Sequence, residues 1–447
     1  MDIKDFKDKL FEKALKNGFS DCEIYYYSGK SIEVNILKGE IEKFNNSTSG
    51  GLSFRGFYNG KIGYSYTEQI SENIIDKLIE YAKENAEIIN DEEKEEIYIG
   101  DKNYTPVKTF YDNLENVDVD TLIEKALDIE KAVLSYDSRI TSCNYCSVGK
   151  ASSQIYISNT KGLELNKKDN YVVALAGSLA KDGNDIKSGM EVIAAFDIND
   201  IDPKHIGETA SKKAISSLGA TSLPSKKYNI VFENECFTDL FSCFLGSFSA
   251  ENVQKGFSLL KGKLNKQIAS NNITILDEPL MEDGYSSSSF DSEGVACYNK
   301  TIVENGILKT YLYNLKTAKK DGVKSTGNGF KGGYKGKIGI SPTNFYIKNG
   351  NKSLDSIFND VKDGIYITDM SGLHAGVNST SGDFSLLSSG YLIENGKKTK
   401  AIEQITIAGN FYNMILDIKD IANDLKFSLN GVGSPSIFVG ELNVSGE

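Results

Sequence analysis

The sequence predicts an α+β protein: an N-terminal antiparallel-sheet domain covered by helices, followed by a β-rich C-terminal domain. Three observations lead there. Apolar residues alternate at period two through most of the 447 residues. A few stretches of helical period flank those runs in the first half. Asn-Gly pairs at Asn59-Gly60, Asn305-Gly306, Asn349-Gly350 and Asn395-Gly396 mark turns, and two-residue Asn-Gly loops suit the twist of a hairpin.

Ile3, Phe6, Leu10, Phe11, Ala14 and Leu15 share one helical face, predicting a first helix that stops near Asn17-Gly18. From Asp21 to Thr67 the pattern becomes short strands punctuated by glycine: CEIYYYS, SIEVNILKG, EIEKFNNST, GLSFRGFY and KIGYSYT. Ser71 caps a second helix with Ile74, Ile75, Leu78, Ile79 and Ala82 on one face. The acidic run Asp91 to Glu96 reads as a solvated loop. Val117 to Leu134 is amphipathic and helical, after which strands resume in ITSCNYCSVGK, SQIYISNT, LELNKKDNYVVALAGSLA and SGMEVIAAFD. Pro203 opens a helix to about Leu218, and Thr221 to Ser225 reads as a linker. The expected domains are therefore 1–220 and 225–447. The second begins with the strand YNIVFE and a helix from Asn234 to Ser249, and is mostly β from Ile273. No repeat of 20–50 residues is visible.

Charge and composition exclude several classes. The net charge is −12, and Arg55 and Arg139 are the only arginines, so no basic stripe for nucleic acid exists. No run approaches 18 apolar residues, so no membrane span is expected. The N-terminus carries acids from Asp2 onward and reads as no secretory signal. Six cysteines in a chain this long form no dense disulfide framework, which fits a cytoplasmic protein.

Several motifs fall short of the chemistry they suggest. Gly327-Asn328-Gly329-Phe330-Lys331-Gly332 matches a dinucleotide fingerprint, but the residues after it are β-like and closed by Pro342 rather than helical. Cys143 and Cys146 lack a second ligand pair for structural zinc, and strand alternation would point them to opposite faces. No G-x-S-x-G elbow is present, and His205 and His374 are too far apart in sequence for a zincin helix.

The stretch from Gly364 to Gly390 holds His374 among five glycines, small hydroxyl residues, Asp369 and Asp383. Glycines let a backbone approach a ligand closely, so this is the expected contact loop. An alternative metal arrangement would use His374, Asp383 and a cysteine.

Together, Asp291-Ser292-Glu293-Gly294, ENGILKTYLYNLKTA, GLHAGVNSTSGDFSLLSSGYLIENG, TIAGN and GVGSPSIFVGELNVSG resemble the TldD/PmbA family. That family was once described as modulators of DNA gyrase and is understood as a cytosolic metalloprotease system. The resemblance covers nearly the whole chain. It implies two branches, one with zinc on an H-E-x-x-x-H helix plus a later cysteine, the other a PmbA/TldE-like subunit without it. Gapless counting from the segment Lys261–Ser270 puts Phe241, Ser242 and Gly246 where His, Glu and His would stand. Counting back from Gly431 to Pro435 puts Ile421 near the cysteine.

The resemblance thus implies a chain with no metal or catalytic residue of its own and with zinc only in a TldD-like partner. The expected partners are that zinc-bearing subunit or a second copy, and an extended peptide. The expected peptide or partner cleft comprises Asp291, Glu293, His374, Gly376, Asn378, Gly382, Asp383 and Ser385. A non-catalytic homodimeric peptide-binding or assembly module is the alternative.

Overall fold

The structure is a computed structural model that describes residues 1–88 and 95–447. Most of the acidic run expected as a loop, Asp91 to Lys94, lies outside them.

The N-terminal part repeats one helix–three strands–helix unit. The first copy is α1 (Ile3–Lys16), β1 (Phe19–Leu37), β2 (Glu40–Tyr58), β3 (Lys61–Thr67) and α2 (Ile75–Ile88). After a single turn, α3 (Asp112–Glu115), the second copy is α4 (Val119–Ser135), β4 (Ile140–Asn159), β5 (Glu164–Asp182), β6 (Asp185–Ala195) and α5 (Pro203–Ser216). β1 and β4 pair antiparallel, so the two copies join into one sheet of order β3-β2-β1-β4-β5-β6. The repeat is longer than the periods that expose solenoids, and it is carried by topology rather than by recurring residues.

The strands are longer than their glycines suggest. β1, β2 and β5 span 19 residues each and β4 spans 20, and β1 and β4 run long enough to serve two cores, whereas the first half of β2 is exposed. Ile24 of β1 packs under α1 and α2, whereas Val34 and Ile36 of the same strand pack under α4 and α5. Gly29 and Gly50 lie inside strands where a Cβ would meet the Tyr27 hydroxyl at 2.6 Å and the Tyr27 carbonyl at 2.7 Å. They make room instead of making turns. True turns occur at Asn59-Gly60, with φ of 51° and 78°, as the hairpin signal predicts.

Cys143 and Cys146 also depart from expectation. The β4–β5 register slips between Cys143 and Tyr145, and this bulge turns both thiols toward the core beneath α4, at 3% and 2% exposure. All six cysteines are free.

The C-terminal part is strand-rich, with short helices. In order it contains β7 (Lys226–Phe232), α6 (Asn234–Ser242), α7 (Ala250–Lys255), β8 (Ile275–Asp277), β9 (Lys300–Glu304), β10 (Ile307–Leu308) and α8 (Leu315–Asp321). It continues with β11 (Gly329–Lys331), β12 (Ile338–Ile340), β13 (Phe345–Ile347), α9 (Leu354–Val361), β14 (Gly364–Ser371), α10 (Leu373–Gly376) and β15 (Asp383–Glu394). β16 (Lys397–Asn410), α11 (Phe411–Leu416), β17 (Asp420–Ile421), β18 (Lys426–Phe427), β19 (Val432–Ser434) and β20 (Ile437–Ser445) complete it. One sheet runs β10-β9-β8-β13-β19-β18. The other runs β16-β15-β14-β7-β20-β17, and β16 also pairs with β20, so its strands close on themselves.

The helix expected from Asn234 to Ser249 ends at Ser242, becomes a 3-10 turn at Leu245–Phe248, and restarts as α7. Phe244 leaves the helical path to stack on Phe411, ring centroids 4.0 Å apart, and Gly246 and Ser247 are weak helix formers. No helix among the described residues is long and apolar enough to cross a membrane.

The two parts are fastened at several points. Tyr104 Oη donates to the Gly294 carbonyl at 2.7 Å and the Ala296 amide donates to Asp101 at 2.7 Å. Lys331 Nζ donates to Ser53 Oγ at 2.8 Å, and Tyr285 Oη donates to the Ala194 carbonyl at 3.0 Å.

Candidate functional site

Between the two parts lies a cleft of about 1390 Å³. One wall is β6, the last strand of the N-terminal sheet, with α5 behind it. Ile186, Ser188 and Met190 of β6 line the cleft, and Gly189 lets α5 close against the strand, since a Cβ there would sit 2.1 Å from the Ala210 carbonyl. The facing wall is the turn from β7 into α6, the end of β14, and the β15–β16 pair. Ligands in α/β folds gather at such strand-to-helix turns, where the chain leaves the sheet.

Four charges tie the walls together. Lys213 of α5 pairs with Glu191 of β6 at 2.6 Å and with Glu235 of α6 at 3.6 Å. Lys426 of β18 pairs with Glu235 at 2.7 Å and with Glu191 at 3.5 Å. Burial works against the Lys213 charge, but Glu191 and Glu235 outweigh it and raise its pKa. Beside this network, burial pushes the Glu233 carboxyl up to about 7, and Asp239 and Asp369 are also raised by burial. Cys236, 4% exposed, has its thiol pushed far above the ordinary value by burial and by Glu233 and Asp369. It is therefore no thiolate nucleophile.

No histidine lines the cleft. Its lining is instead rich in lysines, carboxylates and small hydroxyl residues.

Asp291 and Glu293 lie elsewhere, buried at 1% and 5% exposure under the N-terminal sheet. Asp291 accepts the amides of Glu293, Val295 and Gly329 at 2.9–3.0 Å, and Glu293 accepts the Leu315 amide at 2.7 Å. Burial raises both carboxyls, and the Asp291 charge raises Glu293 further. Three amide donors stabilise the Asp291 anion against one for Glu293, so Glu293 holds the proton of the pair. Above them, Arg55 is ion-paired to Glu23 and has an unpartnered buried Nη2. Burial beside Arg55 lowers Lys331 to about 8.

His374 sits exposed on α10. Around it the loop organises itself: Asn378 accepts the amides of Thr380 and Ser381, and Gly382, φ 88°, leaves space for the Tyr412 ring. The Asp383 carboxylate accepts from Asn410 at 2.9 Å and Ser381 at 2.8 Å, which lower its pKa. A Cβ on Gly376 would meet the Ser385 carbonyl at 2.4 Å, so Gly376 is what allows α10 to lie on β15. None of His374, Gly376, Asn378, Gly382, Asp383 or Ser385 lines the cleft, whereas Asp369, Met370, Ser389 and Gly390 of the same stretch do. Among the described residues no three His, Cys, Asp or Glu side chains are grouped to hold a metal, so His374 and Asp383 form no such set.

The four residues that counting along the sequence puts at the family zinc site offer no ordinary zinc ligand. Phe241 and Ile421 present buried hydrocarbon, Gly246 has no side chain, and the Ser242 hydroxyl donates to the Thr238 carbonyl at 2.8 Å. Zinc needs three or four N, S or O ligands.

Fold and cleft together define a two-part α+β protein with a polar, charged cleft between its halves. The chain belongs to the PmbA/TldD metallopeptidase family. Residues 225–446 match the PmbA/TldA metallopeptidase C-terminal domain, 22–86 match domain 1, and 112–218 match the central domain. An uncharacterized protein of Methanocaldococcus jannaschii is 30% identical over 97% of this chain and 99% of its own. The metalloprotease PmbA of Escherichia coli O157:H7 is 26% identical over 98% and 97%.

A crystal structure from Thermotoga maritima, of a protein proposed to modulate a DNA gyrase, superposes with a TM-score of 0.92. It is 34% identical and covers 99% of this chain and 100% of that one. TldE from Thermococcus kodakarensis, at 23% identity, TM-score 0.91 and coverage of 99% and 100%, shares the fold.

Proposed function

We propose that this chain is the non-metal member of a two-chain peptidase, working with a zinc-bearing, TldD-like subunit on unfolded peptides. The observation that carries the reading is that Phe241, Ser242, Gly246 and Ile421, which counting along the sequence puts at the family zinc site, include no ordinary zinc ligand, in a chain with relatives named metalloproteases. No His-Glu pair occurs anywhere in the sequence to supply the ligand and base from another register.

The cleft gives the chain a role beyond filling space. β6 is an end strand with a backbone edge available beside the cleft, and an extended peptide can add to such an edge through main-chain hydrogen bonds. Main-chain recognition tolerates many sequences but excludes folded segments. The compartment that fits is a reducing cytoplasm, since all six cysteines are free thiols.

The test is to purify the chain alone, add zinc, and measure cleavage of an unfolded peptide with elemental analysis in parallel. The expected result is no stoichiometric zinc and no cleavage until a TldD-like chain is added. Chelator-sensitive cleavage by the chain alone would overturn the reading. Peptide binding without any effect on a TldD-like chain would favour a homodimeric peptide-binding module instead.

A further inference from the structure

The segment Lys255–Gln267, from the end of α7 toward β8, sends only Leu260 into the C-terminal core, yet is firmly held. Ser258, 5% exposed, donates its hydroxyl to the Ser247 carbonyl at 2.7 Å, and Leu260 is 4% exposed. The Asn265 amide donates to the Leu308 carbonyl at 2.8 Å, and the Leu308 amide donates back to Lys266 at 3.1 Å. Between these anchors Phe257 and Leu259 stand outward, 61% and 52% exposed, with Leu264 at 39%. An ordered segment that presents large apolar side chains to water has little backbone entropy left to lose when a partner covers them.

Charge says which kind of partner. From Lys255 to Gln267 there are four lysines and no acid, within a chain of net charge −12. Lys261, Lys263 and Lys266 have no carboxylate partner among the described residues. The same segment of a second copy, meeting it about a two-fold axis, would set these lysines against one another. An apolar surface rimmed by carboxylates on a different chain would satisfy both the lysines and the apolar tips.

We infer that Lys255–Gln267 is the docking element for an acidic face of a second, non-identical polypeptide, with Phe257 and Leu259 as apolar anchors and Lys261, Lys263 and Lys266 as the charged rim. This rests on the two-chain reading above and assigns its partner surface.

The experiment mixes the full chain with a purified family chain carrying the H-E-x-x-x-H motif from the same cell, and follows complex formation by light scattering and titration. Wild type forms a mixed complex that weakens as salt rises to about 0.5 M, since screening shortens the reach of surface charges. Phe257→Ser/Leu259→Ser and Lys261→Glu/Lys263→Glu/Lys266→Glu each weaken it at least tenfold, with thermal unfolding of the variant alone unchanged. Should the apolar variant unfold, the charge-reversal variant and the salt titration decide. A wild-type complex indifferent to both variants and to salt overturns the inference and leaves the two-chain reading standing. Absence of any wild-type complex overturns both. Self-association abolished by the same variants, or binding to phosphatidylglycerol vesicles abolished by them, also overturns it.

Discussion

Arg55 and Glu23 form a buried ion pair, Arg55 Nε to Glu23 Oε1 at 2.7 Å, with side chains 4% and 3% exposed. β1 and β2 supply the two residues from directly opposed positions, Glu23 facing Arg55 across the ladder. The pair sits where the N-terminal sheet covers the Asp291–Glu293 turn, with Glu95 3.6 Å from Arg55 Nη1. Removing one member of a buried pair strands the other charge. Glu23→Ala is therefore expected to destabilise the protein by about 3–5 kcal/mol, read by urea unfolding. A loss below about 1 kcal/mol would show that Glu95 holds the guanidinium without Glu23.

The same interface makes stability depend on pH. Glu293 is raised above its ordinary value, by burial first and the Asp291 charge second. Its folded form thus binds a proton that the unfolded chain has released above about pH 4.5. The neutral carboxyl contributes fully below that unfolded value, and the contribution is lost as pH rises through the raised folded value. Stability should fall from about pH 5 toward pH 8, by about 1.4 kcal/mol for each unit of the raise. Glu293→Gln keeps an oxygen for the Leu315 amide and cannot ionise, so its unfolding free energy should be flatter over that range. An equal slope in wild type and variant would assign the proton to another group.

How much of the chain is legible from its residues alone depends on locality. Periodicity locates α1, α4 and α5 nearly to the residue, and Asn59-Gly60 locates its hairpin, because those signals reside in neighbouring residues. Strand length is not legible at Gly29 and Gly50, where glycine serves close packing against Tyr27, a fact no window of sequence contains. The thiols of Cys143 and Cys146 share a face only because the pairing with β5 slips there. The cleft is illegible for the same reason: Glu191, Lys213, Glu235 and Lys426 meet from four elements spread along the chain. One local signal does point to it. Glu233 and Glu235 come directly after the apolar strand β7, at the strand-to-helix turn where ligand sites gather.

Gly329 is held to glycine by Glu293. A Cβ at position 329 would lie 2.4 Å from Glu293 Oε2, and the Gly329 amide is bound to Asp291 at 2.9 Å, so neither side can retreat freely. Gly329→Ala should cost about 1–3 kcal/mol, as overpacking of a filled interior does. Adding Glu293→Ala should recover part of the loss, and a double-mutant cycle in urea measures the coupling. Strictly additive losses would place the strain elsewhere.

If an extended peptide adds to β6, its side chains must pass Ile186 and Met190, which line the cleft at 57% and 55% exposure. Neither belongs to a hydrophobic core cluster, so exchanging them should leave folding within about 0.5 kcal/mol of wild type. Ile186→Glu/Met190→Glu places two new carboxylates on the wall that faces Glu233, Asp239 and Asp369 across the cleft and removes apolar contact along the strand. Affinity for a fluorescent, unfolded peptide should fall at least tenfold, about 1.4 kcal/mol, by anisotropy titration. Replacing Ser188 by proline tests the backbone separately, because proline removes an amide hydrogen and resists strand pairing. Unchanged affinity in both variants would move the peptide path away from β6.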